Sequence, residues 1–191
     1  MKKIILITAV VFVFAAVMVT CTSKPPASPE VLPTAVVTPV PGADGYWSAT
    51  TAGVTFKWKV NGANLDCKLS APTTGWVAVG FNNKPYMDGA NIIIGYVTGG
   101  TTAVISDCKG SGHTHPVDTI DNITNKAGTD DGTTTQLTFT IPMADDANGQ
   151  DFALTQDGIY WLIMTNGSNN DDTTTATVMP ANRGTMQIQL F

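Results

Sequence analysis

Two apolar runs decide the fold of this chain, Gly75-Trp76-Val77-Ala78-Val79-Gly80-Phe81 and Ile92-Ile93-Ile94-Gly95-Tyr96-Val97. Both are rich in β-branched and aromatic residues, so each is predicted to form a strand. Apolar residues occupy odd and even positions alike, which is typical of strands covered on both faces. We therefore expect this pair to lie centrally in a sheet, or to line a pocket with one face.

The connection between the two runs contains Met87, which is followed by Asp88 and Gly89. A methionine next to a glycine, just before a buried strand, commonly fills a gap in a core. A role as a ligand is the alternative, and the residues of the connection alone do not decide between the two.

The rest of the folded region, residues 44–191, is predicted to be a single all-β domain. It is rich in Thr, Gly, Asn and Asp, and no segment shows a sustained helical period of apolar residues. Short alternating segments occur instead, separated by turn signals, of which Asn61-Gly62 is the best hairpin candidate. This pattern predicts an antiparallel β-sandwich of about nine strands. The alternating segments are Val54–Val60, Leu65–Leu69, Ala103–Ile105, Leu137–Ile141, Ile159–Ile163 and Met186–Leu190.

The N-terminal part resembles an export signal followed by a tether. Residues 1–20 begin with Lys2 and Lys3 and continue as an apolar run, and Cys21 follows where a bacterial lipoprotein signal is cut. We expect Cys21 to be lipid-modified and to anchor the exported protein to a membrane of the cell envelope. Residues 21–43 hold six of the eleven prolines, which predicts an extended, semi-rigid spacer.

Charge excludes one class of partner. Without Lys2 and Lys3, 8 basic residues remain against 15 acidic ones, a net charge near −7. A domain of this charge does not bind nucleic acid through electrostatic attraction. The aspartates cluster in pairs, such as Asp118 with Asp121, which predicts solvated loops. A calcium site is the alternative, although no EF-hand spacing is present.

Cysteine usage predicts one disulfide. With Cys21 assigned to a lipid, Cys67 and Cys108 form an even pair in an exported domain, a setting in which disulfides persist. We therefore predict a bond between Cys67 and Cys108, with two separate thiols as the alternative.

The two histidines of the chain, His113 and His115, lie two residues apart in Gly112-His113-Thr114-His115-Pro116. Residues i and i+2 of an extended segment point the same way, so both imidazoles could reach one metal ion. Imidazole suits copper, zinc or haem iron. Asp107, Asp118 and Asp121 are the nearest further ligands in sequence, and two exposed loop histidines are the alternative.

No enzyme class is indicated. The sequence lacks a Gly-x-Ser-x-Gly elbow, a zinc-protease helix motif and a glycine-rich phosphate loop. A binding or electron-transfer module is therefore expected rather than a catalyst.

The residues from Leu69 to Phe81, Met87 to Tyr96 and Ile105 to Asp107 resemble the DOMON domain family. That family includes the N-terminal domain of dopamine β-monooxygenase and is related to the cytochrome domain of cellobiose dehydrogenase. The resemblance implies an immunoglobulin-like β-sandwich in an extracytoplasmic protein, with a pocket for haem b or for sugars.

The resemblance also implies site residues. In haem-binding members a Met and a His hold the iron, and Met87 matches the position of that Met. The His comes from a loop before the last strand, and here the matching residues 177–184 contain no His. Either Met179 replaces it, or His113 or His115 comes from another loop, or no haem binds. Trp76 and Tyr86 could line the pocket, with core packing as the alternative.

Three functions follow as hypotheses. The first is a haem b electron-transfer module on the cell envelope, with a redox partner. The second is a module that binds a sugar, another small ligand or a protein without redox chemistry. The third is a copper or zinc site at His113 and His115.

Overall fold

The computed structural model describes residues 40–168 and 182–191. These residues form an all-β structure of ten strands. The strands are β1 (Trp47–Thr51), β2 (Val54–Asn61), β3 (Asn64–Ala71), β4 (Val77–Asn82), β5 (Asn91–Thr98), β6 (Thr102–Lys109), β7 (Thr124–Asp130), β8 (Thr135–Pro142), β9 (Ile159–Asn166) and β10 (Asn182–Gln189).

The strands form an immunoglobulin-like sandwich of two antiparallel sheets, as predicted. The first sheet has the order β1-β2-β3-β8-β7, and the second has the order β10-β9-β4-β5-β6. In the second sheet β4 is central and pairs with both β5 and β9. Every residue of β4 is buried, which confirms that this strand is covered on both faces.

The hairpin predicted at Asn61-Gly62 is present between β2 and β3. Asn61 pairs with Asn64, which leaves Gly62 and Ala63 as a two-residue loop. Gly62 has a φ of 63°, a backbone conformation that residues other than glycine rarely adopt.

An aromatic group joins the two sheets across the core. Phe56 of β2 stacks on Trp58 with their ring centroids 5.5 Å apart. It also meets the ring of Phe81 of β4 edge-on at 5.6 Å. All three side chains are fully buried. Since aromatic rings bury large apolar areas, this group contributes strongly to the packing of the sheets.

The structure has ten strands where about nine were expected. The sequence analysis did not predict β7, because residues Thr124–Asp130 show no alternation of apolar and polar residues and none of them is buried. It lies at the edge of the first sheet, and its pairing with β8 is irregular between Thr124 and Ala127. An edge strand with little buried surface has no need of apolar alternation, so the sequence gives no sign of it.

The predicted disulfide is wrong, because Cys67 and Cys108 are both free thiols. Cys67 lies on β3 and points into the core between the sheets. Cys108 lies on β6 and belongs to a second apolar cluster with Ile92 and Ile94. Those isoleucines flank Ile93, which is part of the main core, so they lie on the other face of the second sheet. The second sheet therefore separates the two sulfur atoms.

The predicted signal, Cys21 and most of the tether lie outside the described residues, so their prediction stands untested. The first strand begins at Trp47, near the expected start of the domain at residue 44. Within the two ranges that the structure describes, no helix is long and apolar enough to cross a membrane.

Candidate functional site

A pocket of about 1040 Å³ lies on the outer face of the second sheet. Its floor is made by outward-facing residues of the three central strands, Ala78 and Gly80 of β4, Ile92 and Ile94 of β5, and Ile163 of β9. The residues between them in β4 and β5 face the core. Both faces of these strands are therefore apolar, one because it packs in the core and the other because it lines the pocket. Cavities of this size and character bind small molecules and cofactors.

Gly80 has no side chain, which leaves space for a ligand above the centre of the pocket floor. A Cβ at this position would lie 3.3 Å from Cγ1 of Ile92 and 3.6 Å from Cβ of Ile163. Anything longer than a methyl group would therefore project from between the two isoleucines into the cavity.

The β4–β5 connection brings Met87 to the pocket, and the buried amide of Asn82 fixes this connection. Nδ2 of Asn82 donates to the carbonyl oxygen of Tyr86 at 2.7 Å and to that of Asp88 at 3.0 Å. These two carbonyls flank Met87 in sequence, and Asn82 is only 2 % exposed. Met87 itself is half-buried, lines the cavity and packs against the second apolar cluster. Its side chain thus borders an open space rather than filling a gap in the core.

The segment after β6 brings both histidines to the same pocket. The backbone N–H of Lys109 donates to the carbonyl of Pro116 at 3.1 Å, and Ser111 and Thr114 exchange backbone hydrogen bonds at 2.8 and 2.9 Å. This narrow hairpin places His113 and His115 on the pocket wall. His113 is exposed, whereas His115 is only 8 % exposed.

Three hydrogen bonds join the Met87 connection to the histidine hairpin. The N–H of Gly89 donates to the carbonyl oxygen of Gly110 at 2.9 Å. The N–H of Gly110 donates to the carbonyl oxygen of Ala90 at 2.8 Å. The N–H of Gly112 donates to Oδ1 of Asp88 at 2.8 Å. The thioether and the two imidazoles are therefore held on two loops that support each other.

Gly110 permits the close contact between these loops. A Cβ at Gly110 would overlap the backbone carbonyl of Met87 and lie 3.1 Å from its Cγ. Only glycine allows the Met87 connection to lie so near to the end of β6.

Trp76 and Tyr86 both lie on the pocket wall. Trp76 is 7 % exposed, and its indole packs closely over Gly167. Tyr86 is 52 % exposed, and Nζ of Lys84 lies 5.7 Å from the centroid of its ring. Trp76 thus combines core packing with a pocket surface, whereas Tyr86 lies at the rim.

The structure lends no support to a copper or zinc site at the histidines. In the described part of the chain, neither histidine belongs to a group of three His, Cys, Asp or Glu ligands. Asp107 and Asp118 come together with Asp151 instead, and all three are buried. The prediction of solvated loop surface is therefore wrong for Asp118, while Asp121 is exposed and pairs with Lys126 at 2.5 Å.

Sequence reasoning missed the wall contributed by β9 and β10. Thr165, Arg183 and Thr185 line the pocket there, and Arg183 is the single arginine of the sequence. The outward position of Ile163 could be read from the alternation in β9, but its place beside β4 depends on long-range strand pairing. Met179 lies outside the described residues.

A large part of the chain matches one protein family. The model of the DOMON domain family matches residues 50–167. No curated protein matches the sequence.

Two solved structures have a similar fold. One is the cytochrome b domain of pyranose dehydrogenase from Coprinopsis cinerea, at 11 % identity and a TM-score of 0.57, covering 71 % of this chain and 76 % of that one. The other is the cytochrome domain of cellobiose dehydrogenase from Myriococcum thermophilum, at 16 % identity and a TM-score of 0.58, covering 78 % and 85 %. At these identities the similarity shows a shared fold.

Proposed function

This chain belongs to the DOMON domain family, and from that premise we propose that its pocket binds haem b and that the domain transfers electrons. The observation that carries the proposal is the composition of the pocket. One apolar cavity of about 1040 Å³ is bordered by the thioether of Met87 and the imidazoles of His113 and His115. The two solved structures named above are cytochrome domains, and one is a cytochrome b domain.

The residues present fit the group. Thioether and imidazole are ligands that haem iron takes in electron-transfer proteins. Of the two histidines, we assign His115 as the iron ligand, because it is buried in the pocket wall while His113 is exposed. Met87 is the second ligand in this assignment, on the connection that is hydrogen-bonded to the histidine hairpin.

Bound haem b would supply a one-electron Fe(III)/Fe(II) couple. Met87 and His115 would hold the iron, and ligation by a thioether and an imidazole favours electron transfer over oxygen activation. The aliphatic floor of Ala78, Ile92 and Ile163 would exclude water from the macrocycle, and Arg183 on the wall could pair with a haem propionate.

A sugar is a poorer fit to this pocket. Sugar hydroxyl groups need many polar partners, and the floor offers aliphatic side chains and a glycine. Binding of a sugar or another small ligand without redox chemistry is thus the outcome that would replace the proposal.

The remaining parts of the proposal concern the location of the protein. We infer that residues 1–20 export the chain, that a lipid on Cys21 holds it at the cell envelope, and that residues 21–43 space the domain from the membrane. The redox partner would then meet the domain outside the cytoplasm.

The test is spectroscopic. The protein, supplied with haem and purified, should show a Soret band, and titration with haemin gives its affinity. We expect Met87→Ala and His115→Ala to weaken haem binding at least about tenfold, and Met87→Ala also to lower the midpoint potential, since methionine ligation raises it.

Two further variants sharpen this test. Gly80→Leu should block the floor and abolish the Soret band while the far-UV circular dichroism spectrum stays unchanged. His113→Ala is the matched control two residues from the proposed ligand, and should bind haem like the wild type. A colourless wild-type protein, or equal affinity in the wild type, Met87→Ala and His115→Ala, would contradict the proposal.

A further inference from the structure

Three buried carboxylates meet near the start of β5 and the end of β6, and none of them lines the pocket. Asp107, Asp118 and Asp151 are 1 %, 7 % and 9 % exposed. One carboxylate oxygen from each lies within 4.8 Å of the others. Three negative charges at this spacing in a buried place repel one another strongly unless protons or a cation neutralise them.

The described protein groups neutralise this cluster incompletely. Asp151 accepts hydrogen bonds from Nδ2 of Asn91 at 2.9 Å and from Nδ2 of Asn122. In contrast, no carboxylate oxygen of Asp107 or Asp118 accepts a hydrogen bond of normal geometry from the residues that the structure describes.

The nearby lysines make their direct contacts elsewhere. Nζ of Lys109 donates to the carbonyl of Gly149, and Nζ of Lys126 pairs with Asp121 at 2.5 Å and donates to the carbonyl of Ile105 at 3.0 Å. Burial raises the pKa of Asp118 and of Asp151, and the charge of Lys109 opposes only part of each shift. Burial, followed by the charges of Asp151 and Asp118, accordingly raises the pKa of Asp107 to about 8, with the backbone of Asn122 opposing the shift.

Asn91 provides a separate indication of a ligand. Its side chain is 4 % exposed, and its amide is held against the cluster by the hydrogen bond to Asp151. The oxygen of that amide, Oδ1, has no hydrogen-bond donor among the described residues. This buried amide oxygen is an acceptor on the side chain that contacts Asp151, in a place where acceptors are already in excess.

We propose that Asp107, Asp118 and Asp151, together with Oδ1 of Asn91, form a binding site for Ca²⁺. The set consists of oxygen ligands alone, which hard divalent cations prefer, and it contains no imidazole or thiolate that would favour zinc or copper. Ca²⁺ accepts irregular sets of carboxylate and amide oxygens, whereas Mg²⁺ requires near-octahedral geometry and keeps several waters.

The proposed site would join parts of the chain that are distant in sequence. Asn91 begins β5, Asp107 lies near the end of β6, and Asp151 comes from the connection between β8 and β9. Asp107 and Asp118 also close the base of the histidine hairpin, since the N–H of Asp118 donates to the carbonyl of Asp107 at 2.9 Å. A bound cation would thus stabilise the hairpin that carries His113 and His115, whatever the pocket binds.

The test compares the thermal unfolding of the purified protein in EDTA and in CaCl₂. Saturation with Ca²⁺ should raise the melting temperature by about 5–10 °C, the shift expected when a ligand at roughly a hundred times its Kd binds only the folded state. Calorimetric titration of the metal-free protein with CaCl₂ should show one site, and MgCl₂ should bind at least about tenfold more weakly.

Variants identify the ligands. Asp107→Asn replaces a buried carboxyl group with a neutral amide of the same size, so the metal-free variant should stay folded while its response to Ca²⁺ is lost. Asp151→Asn tests a second ligand in the same way. Asp157→Asn is the matched control, because Asp157 is an exposed aspartate of the same connection whose φ of 65° suits asparagine.

Two results would overturn the proposal. Equal melting temperatures in EDTA and CaCl₂, with no heat of binding, would mean that the carboxylates share protons instead. An equal loss of the Ca²⁺ response in Asp157→Asn would mean that Ca²⁺ acts on surface charge rather than at this site.

Discussion

Burial decides the chemistry of the two cysteines of the folded domain. Desolvation, and to a lesser degree the charge of Asp66, raises the pKa of the Cys67 thiol well above its usual value. Desolvation, followed by the charges of Asp118 and Asp107, raises the pKa of Cys108 to about 12. Because the thiolate is the reactive form, both thiols should be inert in the native protein.

This gives a prediction about alkylation. At pH 9, iodoacetamide should modify neither Cys67 nor Cys108 in the native domain and should modify both in urea. Mass spectrometry counts the modified cysteines.

The raised pKa values also predict how stability depends on pH. Above the pKa of the unfolded thiol, the unfolded chain loses a proton that the folded chain still holds, and this favours unfolding. The free energy of unfolding should therefore fall as pH rises above about 8.5. Rapid modification of either cysteine in the native domain, or a disulfide in the non-reduced protein, would contradict this account.

The strands and loops around the pocket act as a unit, and Gly110 is where they meet. The end of β6 and the Met87 connection approach so closely there that a methyl group would overlap a backbone carbonyl. Backbone atoms cannot rotate aside as a side chain can, so any substitution must move one of the two loops.

Gly110→Ala should therefore destabilise the domain by about 1–3 kcal/mol, the usual cost of overpacking. Urea denaturation followed by circular dichroism measures this change. Ser111→Ala, at the next residue of the same hairpin, is the control and should change stability by less than about 0.5 kcal/mol. Equal stability of Gly110→Ala and the wild type would show that the loops are not held in this contact.

The sequence predicts those elements whose pattern is local. The runs that became β4 and β5, and the hairpin at Asn61-Gly62, depend on neighbouring residues, and the structure contains both. The spacing of the two histidines and the family resemblance indicated Met87, His113 and His115 as candidates, and the structure brings all three to one pocket. Neither Gly110 nor the wall from β10 could be predicted, because their importance arises from contacts between distant segments.

The aspartates show the same limit more sharply. Asp118 and Asp121 look alike in the sequence, yet one is buried beside Asp107 and Asp151 and the other is exposed. No local pattern links Asp151 to residues more than thirty positions earlier. The disulfide prediction failed for a related reason. An even number of cysteines in an exported domain says nothing about which face of a sheet each cysteine occupies.

At the scale of the whole molecule, the second sheet has two apolar faces with separate roles. Its inner face packs against the first sheet, and the contact between Phe56 and Phe81 crosses that core. Its outer face carries the pocket. Stability should therefore depend on the inner face, and ligand binding on the outer one.

Phe56→Ala should destabilise the domain by about 3–5 kcal/mol, because it removes a fully buried ring that contacts both sheets. Tyr86→Ala removes a ring that is 52 % exposed at the pocket rim, and should cost less than about 1 kcal/mol. Urea denaturation monitored by tryptophan fluorescence and by circular dichroism measures both variants. Similar losses in the two variants would show that the inner face does not dominate stability.

The position of the pocket outside the main core has a consequence for the order of maturation. A cofactor enclosed between two sheets can enter only while the sheets are apart. Here the two sheets can pack around Phe56 and its neighbours first, and a cofactor can bind afterwards from the solvent side. On the proposed function, a newly made chain could thus fold without haem and bind it afterwards.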